Sequence, residues 1–163
     1  MTSSQTMFEL RKARIDEAEV ILRLYHSAKT APGCTWDESY PNRETIAEDI
    51  AAECLYVLQA EGEILGCVSV VPENELDELD CWQVRENYCE IARVAVDSRS
   101  QGRGLSREML RLLFQQLPQI RSVHILVAEQ NHIAQAIYRS LGFQFYGKYQ
   151  MFGHSYITAE KLF

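Results

Sequence analysis

Apolar residues recur along this chain with two different periods, and each change of period marks a new element. "FELRKAR" (8–14) alternates in part and predicts a first strand. In "IDEAEVILRLYHSA" the residues Ala18, Ile21, Leu22 and Tyr25 return at helical spacing, with Asp16 as the expected N-cap and Glu19 following it. "APGCTWDESYP" breaks the pattern with proline and glycine and predicts a loop. Asn42 is placed to cap a second helix that reaches about Glu53, with Ile46 and Ile50 on one face.

The stretch 54–72, "CLYVLQAEGEILGCVSVVP", carries two apolar runs around "EGE" and predicts a hairpin. "ENELDELDCWQVREN" reads as an acidic loop or a ragged helix, and "YCEIARVAVD" (88–97) as a strong strand. Between Gly104 and Leu117 the residues Leu105, Met109, Leu110, Leu112, Leu113, Phe114 and Leu117 cover one broad side of a helix. Arg107, Glu108, Arg111 and Gln115 fall on the other side. "SVHILVAE" is a further strand, and "NHIAQAIYRSLG" a short helix begun by Asn131 and ended by Gly142. "FQFYGKY" and "HSYITAEKLF" close the chain as two strands. Strands and helices mix, with hairpins at both ends of the sheet, so the class is α/β or α+β with a mixed sheet. No repeat, low-complexity tract or linker divides the pattern, and one domain over 1–163 is expected.

Charge narrows the partners of such a domain. The formal net charge is −7. An acidic chain gains nothing from counterion release, so nucleic acid is not expected and cationic or neutral small partners are. "MTSSQTMFELRKARI" lacks the apolar core of a signal peptide, and no stretch approaches the ~20 apolar residues of a membrane helix. No membrane partner and a cytoplasmic location are therefore expected. Cys34, Cys54, Cys67, Cys81 and Cys89 make an odd count without a CxxC pair, which reads as reduced thiols rather than a disulfide framework or a zinc site. His124, His132 and His154 are too scattered to suggest a metal, and none is expected.

The densest chemical signal is "VAVDSRSQGRGLSREML" (94–110). A β-branched run ends in a turn where two glycines bracket an arginine, and a helix begins at once. That junction sets the free N–H groups of a helix N-terminus beside bare backbone, which is an anion site by geometry. Arg99, Arg103 and Arg107 add positive charge; the plain alternative is a βα turn that needs glycine for its dihedrals. A dinucleotide fingerprint would need glycine where Arg107 stands, and a Walker loop would need Gly-Lys-Ser/Thr where the chain has Gly104-Leu105-Ser106. Neither NAD nor ATP is supported.

"RVAVDSRSQGRGLSREML" resembles the acetyl-coenzyme-A signature of the GNAT N-acetyltransferase superfamily, (Gln/Arg)-x-x-Gly-x-(Gly/Ala) after an "LAV"-like tripeptide. The signature maps to Gln101, Gly104 and Ser106, and the tripeptide to Val94, Ala95 and Val96. Further on, "NHIAQAIYRSLGF" is similar to the second family segment, N-x-x-A-x-x-x-Y-x-x-x-G-F. Ser106 departs from the usual Gly or Ala, yet it remains small. The resemblance spans nearly the whole chain. It implies a central twisted, mostly antiparallel sheet with a parallel central pair and about four flanking helices. It also implies transfer of acetyl from acetyl-CoA, as cosubstrate, to a primary amine of a small molecule or peptide, by direct attack in a ternary complex. A non-catalytic acyl-CoA-binding or sensing module on the same fold is the alternative, and a homodimer is one open assembly state.

By the same resemblance, the backbone of Val94, Ala95 and Val96 pairs with the pantetheine arm and offers an N–H to the thioester oxygen. Gln101, Gly102, Arg103, Gly104, Leu105 and Ser106 wrap the pyrophosphate, with Asn131, Ala134 and Tyr138 along the arm. Tyr138 matches the residue that protonates the departing thiolate; from spacing alone it would be core. Glu90 is the candidate base, because a carboxylate between apolar strand positions is poorly placed unless it lines a cleft. A salt bridge to Arg93 or another basic residue is the other reading, and Glu129 is the reserve base. Trp36, Asp37 and Tyr40 lie in the loop over the acceptor cleft, where rings and a carboxylate suit a cationic amine. Packing of Trp36 and plain solvation of the acidic stretch stand against that. Tyr146, Tyr149 and Tyr156 either line the cleft or pack. Cys81 and Cys89 have no adjacent histidine to make either a nucleophile, so no covalent acyl-enzyme is expected.

Overall fold

The computed structural model describes residues 7–71, 75–100 and 104–163. In chain order they form β1 (Phe8–Lys12), α1 (Ala18–Ala28), α2 (Arg43–Ala51), β2 (Leu55–Ala60), β3 (Glu63–Val71), β4 (Tyr88–Val96), α3 (Leu105–Gln115), β5 (Ser122–Ala128), α4 (His132–Ser140), β6 (Gln144–Met151) and β7 (His154–Leu162). The seven strands make one sheet in the order β1-β2-β3-β4-β5-β7-β6. Every neighbouring pair is antiparallel except β4 and β5, which run parallel. The expected mixed sheet with one parallel pair near its middle is the one observed, flanked by four α-helices among the described residues.

Both faces of the sheet are covered, which explains why "LYVL" in β2 reads as an unbroken apolar run. Tyr56 and Leu58 face a core with Met109, Leu110 and Leu113 of α3 and Tyr138 of α4. Leu55 and Val57 face the other core, with Ile21, Leu22 and Tyr25 of α1 and Ile46 of α2. Burying one such leucine completely is worth about 2 kcal/mol, so the two stripes together orient the helices on opposite faces.

Two helix starts agree with the sequence and one does not. Asn42 accepts the Thr45 backbone N–H at 2.9 Å, and Asn131 accepts that of Ala134 at 3.1 Å. Asp16 is no cap: residues Ile15–Glu17 form a 3₁₀ turn that precedes α1. The Glu17 side chain braces that turn, accepting the Arg14 N–H at 2.8 Å and two bonds from Arg11 at 2.6 and 2.9 Å. The Arg11 guanidinium reaches across from β1 and holds the Glu17 carboxyl below the ordinary carboxylate range. No helix among the described residues is long and apolar enough to cross a membrane.

Candidate active site

The parallel ladder between β4 and β5 is short. It pairs Tyr88 with Ser122, Cys89 with Val123 and Glu90 with His124, and then stops. Beyond that rung the strands part, and Ile91–Val96 of β4 and Ile125–Ala128 of β5 wall a cavity of about 220 Å³. The end of α1 and the loop through Trp36 cover it, and α4 closes it from the other side through Asn131, Ala134 and Tyr138. Among the described residues, the edge of β4 turned toward the gap has no strand partner there. Backbone N–H and C=O groups in such a place require hydrogen-bonding partners, and an extended ligand can supply them as an added strand.

A bulge shapes that edge. Cys67 pairs with Ala95 and Ser69 with Ala92, so Arg93 and Val94 together oppose Val68. Arg93 has φ 52, a left-handed conformation that costs an ordinary residue about 1–2 kcal/mol. The extra residue also inverts facing along the strand: Cys89 and Ile91 enter the α3-side core, yet so do Val94 and Val96, while Ala95 faces α1. Arg93 donates to both Asp49 oxygens at 2.9 and 3.0 Å and to the Tyr40 hydroxyl at 3.0 Å. Asp49 also accepts the Ser69 hydroxyl at 2.8 Å. Arg93, one of the basic residues expected as an alternative partner of Glu90, is thus engaged by Asp49 and Tyr40.

At the α3 end, Gly104 has φ 72, and among the described residues nothing lies within 4 Å of where a Cβ would stand. Bare backbone and open space meet there at the start of an eleven-residue helix. Of the nearby cations, Arg99 is bound by Asp97 at 2.7 Å, and Arg107 donates to the Ser140 hydroxyl at 2.9 Å. Arg107 thus keeps a positive charge with a neutral partner. Gln101, Gly102 and Arg103 lie outside the described residues. Ser106 reaches the cavity wall, while Leu105 is buried in the core.

The remaining assigned residues divide by position. Val94, Ala95, Val96, Asn131, Ala134, Tyr138 and Trp36 line the cavity together. Tyr138 is buried and meets Phe143 edge-on at 5.3 Å, and burial pushes its phenol above the ordinary tyrosine value. Its proton is held well past neutral pH, as a proton donor requires. Trp36 also packs edge-on against Tyr25 at 5.6 Å, so packing and lining coexist. Tyr156 lines the cavity with its hydroxyl 3.0 Å from that of Thr35. Glu90 is half-buried at the last paired rung, next to the first wall residue, Ile91.

Asp37 and Tyr40 do not reach the wall. Asp37 is exposed, and bonds from the Ser39 hydroxyl and N–H hold its carboxyl below the usual range. Tyr40 is spent on Arg93. Glu129 pairs with Lys148 at 2.7 Å, and that bond keeps its carboxyl low and makes it a weaker base. Burial pushes the Cys89 thiol up to about 12, which leaves no thiolate at neutral pH. Among the described residues no group of three or more His, Cys, Asp or Glu is arranged to hold a metal ion.

Two groups beside the site escaped sequence reasoning. Asp49 follows Ile46 by one helical turn, so a carboxylate on the buried face of α2 was the available signal. The second is a polar cluster under the parallel pair. Glu160 accepts bonds from the N–H groups of Gln83 and Val84, and from the Ser122, Tyr146 and His124 side chains. The His124 ring is stacked between Trp82 at 4.0 Å and Tyr88 at 4.4 Å. Tyr146 therefore serves this cluster rather than the cavity. The cluster ties the segment before β4 onto β5 and β7, and so fixes the rung from which the strands diverge.

The profile of the Acetyltransferase (GNAT) family matches residues 21–143. The chain is 28% identical over 131 residues to the spermine/spermidine N(1)-acetyltransferase of Bacillus subtilis, across 75% of this chain and 82% of that protein. Its fold is similar to the crystal structure of a GNAT-family acetyltransferase from Streptococcus agalactiae, with TM-score 0.83, 24% identity, and 96% and 95% of the two chains covered. It is also similar to the PaiA N-acetyltransferase of Thermoplasma acidophilum, solved in complex with coenzyme A. There the TM-score is 0.72, with 17% identity and 96% and 99% coverage.

Proposed function

This chain belongs to the acetyltransferase (GNAT) family, and we propose that it moves acetyl from acetyl-CoA to a primary amine of a small molecule or peptide, by direct attack in a ternary complex. The observation that carries the reading is the parting of β4 and β5, with an unpaired β4 edge on one wall and a buried, protonated Tyr138 on another. The residues present fit coenzyme A. The open backbone of Val94, Ala95 and Val96 suits the amide-bearing arm, and the bare Gly104 turn before Leu105 and Ser106 suits its phosphates. Gln101, Gly102 and Arg103 are assigned to the phosphates by the family signature. Asn131 and Ala134 line the cavity where the arm would lie, and Asn131 also caps α4.

Acetyl-CoA supplies the thioester. Everything else falls to the chain. An amide of the β4 bulge donates to the carbonyl oxygen on which charge collects. An alkylamine with a pKa near ~10.4 is mostly protonated at pH 7, and freeing it costs roughly 4–5 kcal/mol. Glu90, standing at the apex of the gap, is assigned to take that proton, directly or through water. Tyr138 gives its proton to the departing thiolate. Trp36 packs the carbon chain of the amine, with Asp37 and Tyr40 at the outer rim of the same loop. The Bacillus relative is a spermine/spermidine N(1)-acetyltransferase, which makes a polyamine the first amine to try, and an acidic chain of net charge −7 favours a cationic acceptor.

The test is release of coenzyme A thiol from acetyl-CoA with spermidine, a free amino acid and a lysine-containing peptide in turn. Amine-dependent release supports the reading and names the acceptor class. Binding of acetyl-CoA with only slow hydrolysis under every amine would move the chain to the non-catalytic alternative.

A further inference from the structure

An arginine has no local reason to adopt the left-handed conformation seen at Arg93. In this type of bulge the first residue is ordinarily glycine, because a Cβ crowds the neighbouring carbonyl. What holds Arg93 over is tertiary. The Asp49 carboxylate grips Nε and one terminal nitrogen at 2.9 and 3.0 Å, in the two-pronged geometry that fixes a guanidinium in direction as well as distance. Ser69 of β3 fixes the same carboxylate at 2.8 Å, and Tyr40 of the covering loop receives the remaining nitrogen at 3.0 Å. The ion pair is largely shielded, with side chains 14% and 11% exposed, so water does not substitute for it.

We infer that Asp49 is a positioning residue for acetyl transfer: by gripping Arg93 from α2 it holds the β4 bulge in its left-handed form, and so keeps the amides around Val94 turned into the cleft. Asp49 itself is not among the residues that line the cavity, and it meets the cavity only through Arg93, which does line it. The inference rests on the acetyl-transfer reading above. Its rival is that the packing of Val94 and Val96 alone maintains the bulge, with the ion pair serving stability only.

The experiment is steady-state kinetics, at temperatures where each protein is folded by its melting curve, on wild type, Asp49→Asn, Arg93→Ala and Arg93→Gly. Asp49→Asn is expected to lower kcat about tenfold or more while the KM for acetyl-CoA moves less than about threefold, since the α3 turn assigned to its phosphates is untouched. Arg93→Ala and Arg93→Gly both delete the grip, but only glycine takes the left-handed form without strain. Arg93→Gly is therefore expected to retain at least about threefold more kcat than Arg93→Ala, despite having fewer contacts. Equal kcat in those two variants, or wild-type kcat in Asp49→Asn, overturns the inference; the glycine comparison decides it even if Asp49→Asn does not fold. A wild type without acetyl-CoA-dependent turnover fails the acetyl-transfer reading first, before any variant is compared, and takes this inference with it.

Discussion

Replacing Tyr138 by phenylalanine separates chemistry from packing with one oxygen. The ring is buried among core residues and meets Phe143 edge-on at 5.3 Å, contacts that phenylalanine keeps. Loss of the hydroxyl should therefore change stability by no more than about 1 kcal/mol, the usual net worth of one hydrogen bond. The kinetic cost is set by what the proton does. A thiol of ordinary acidity, pKa about 8.5, leaves without help more readily than an alkoxide would, so the acid is worth the low end of the general-acid range. About 100-fold in kcat is expected, which is roughly 2.7 kcal/mol of barrier. Burial holds the Tyr138 proton above the ordinary tyrosine value, so the deficit should persist across neutral and mildly alkaline pH. The assay is coenzyme A thiol release at saturating acetyl-CoA and amine, beside a melting curve with and without acetyl-CoA. If Tyr138→Phe binds acetyl-CoA normally and keeps more than about half of kcat, the residue is packing only and the assignment as acid fails.

Gly33 stands at φ +81, and a Cβ there would fall on the Gln130 carbonyl and within 2.7 Å of Asn131 Cα. Gly33→Ala should cost about 2–4 kcal/mol by thermal melting and push the loop off the cavity, raising the KM for the amine; an unchanged Tm would show that the loop does not close on α4. The Glu160 cluster makes stability fall in acid. Burial lowers His124 below 6.5, and the donors from Ser122, Gln83, Tyr146 and Val84 outweigh burial to keep Glu160 below 4.5. Both folded values are depressed, so the unfolded chain binds more protons. Stability is full above about 6.5, weakens below it through His124, and weakens further below about 4.5 through Glu160. Glu160→Gln weakens the several charge-assisted hydrogen bonds to the carboxylate, so it should cost about 3 kcal/mol at pH 7 and flatten the profile below 4.5; equal slopes in wild type and variant would contradict this. Glu90→Gln should lower kcat/KM for the amine at neutral pH and recover as pH approaches that of the free amine, whereas a uniform deficit would assign Glu90 to structure.

Much of this architecture is legible from residue order. The caps Asn42 and Asn131, the "EGE" hairpin and the apolar side of α3 follow from local chemistry that does not depend on distant partners. So does the glycine turn at Gly104. What the sequence conceals is set at long range. The start of α1 is governed by Arg11 arriving from β1, which no pattern around Asp16 contains. The bulge at Arg93 is invisible to alternation because it inverts it midway through β4, and its anchor Asp49 is forty-four residues away. Glu160 and His124 look like stray polar positions in buried strands until the segment around Trp82 folds over them. Of the three residues expected at the acceptor, Trp36 reaches the wall, while Asp37 bonds to Ser39 and Tyr40 to Arg93.

We propose the gap between β4 and β5 as a cradle for acetyl-CoA. The most direct test is a melting curve of the wild type and of Gly104→Glu, each with and without acetyl-CoA. At 100 times its dissociation constant the ligand contributes about 2.7 kcal/mol. In a domain of this size that raises Tm by about 5–10 °C. That gain is expected for the wild type and none for Gly104→Glu, whose carboxylate would stand where the described residues leave space at the α3 N-terminus. A wild type that does not move at millimolar acetyl-CoA would contradict it.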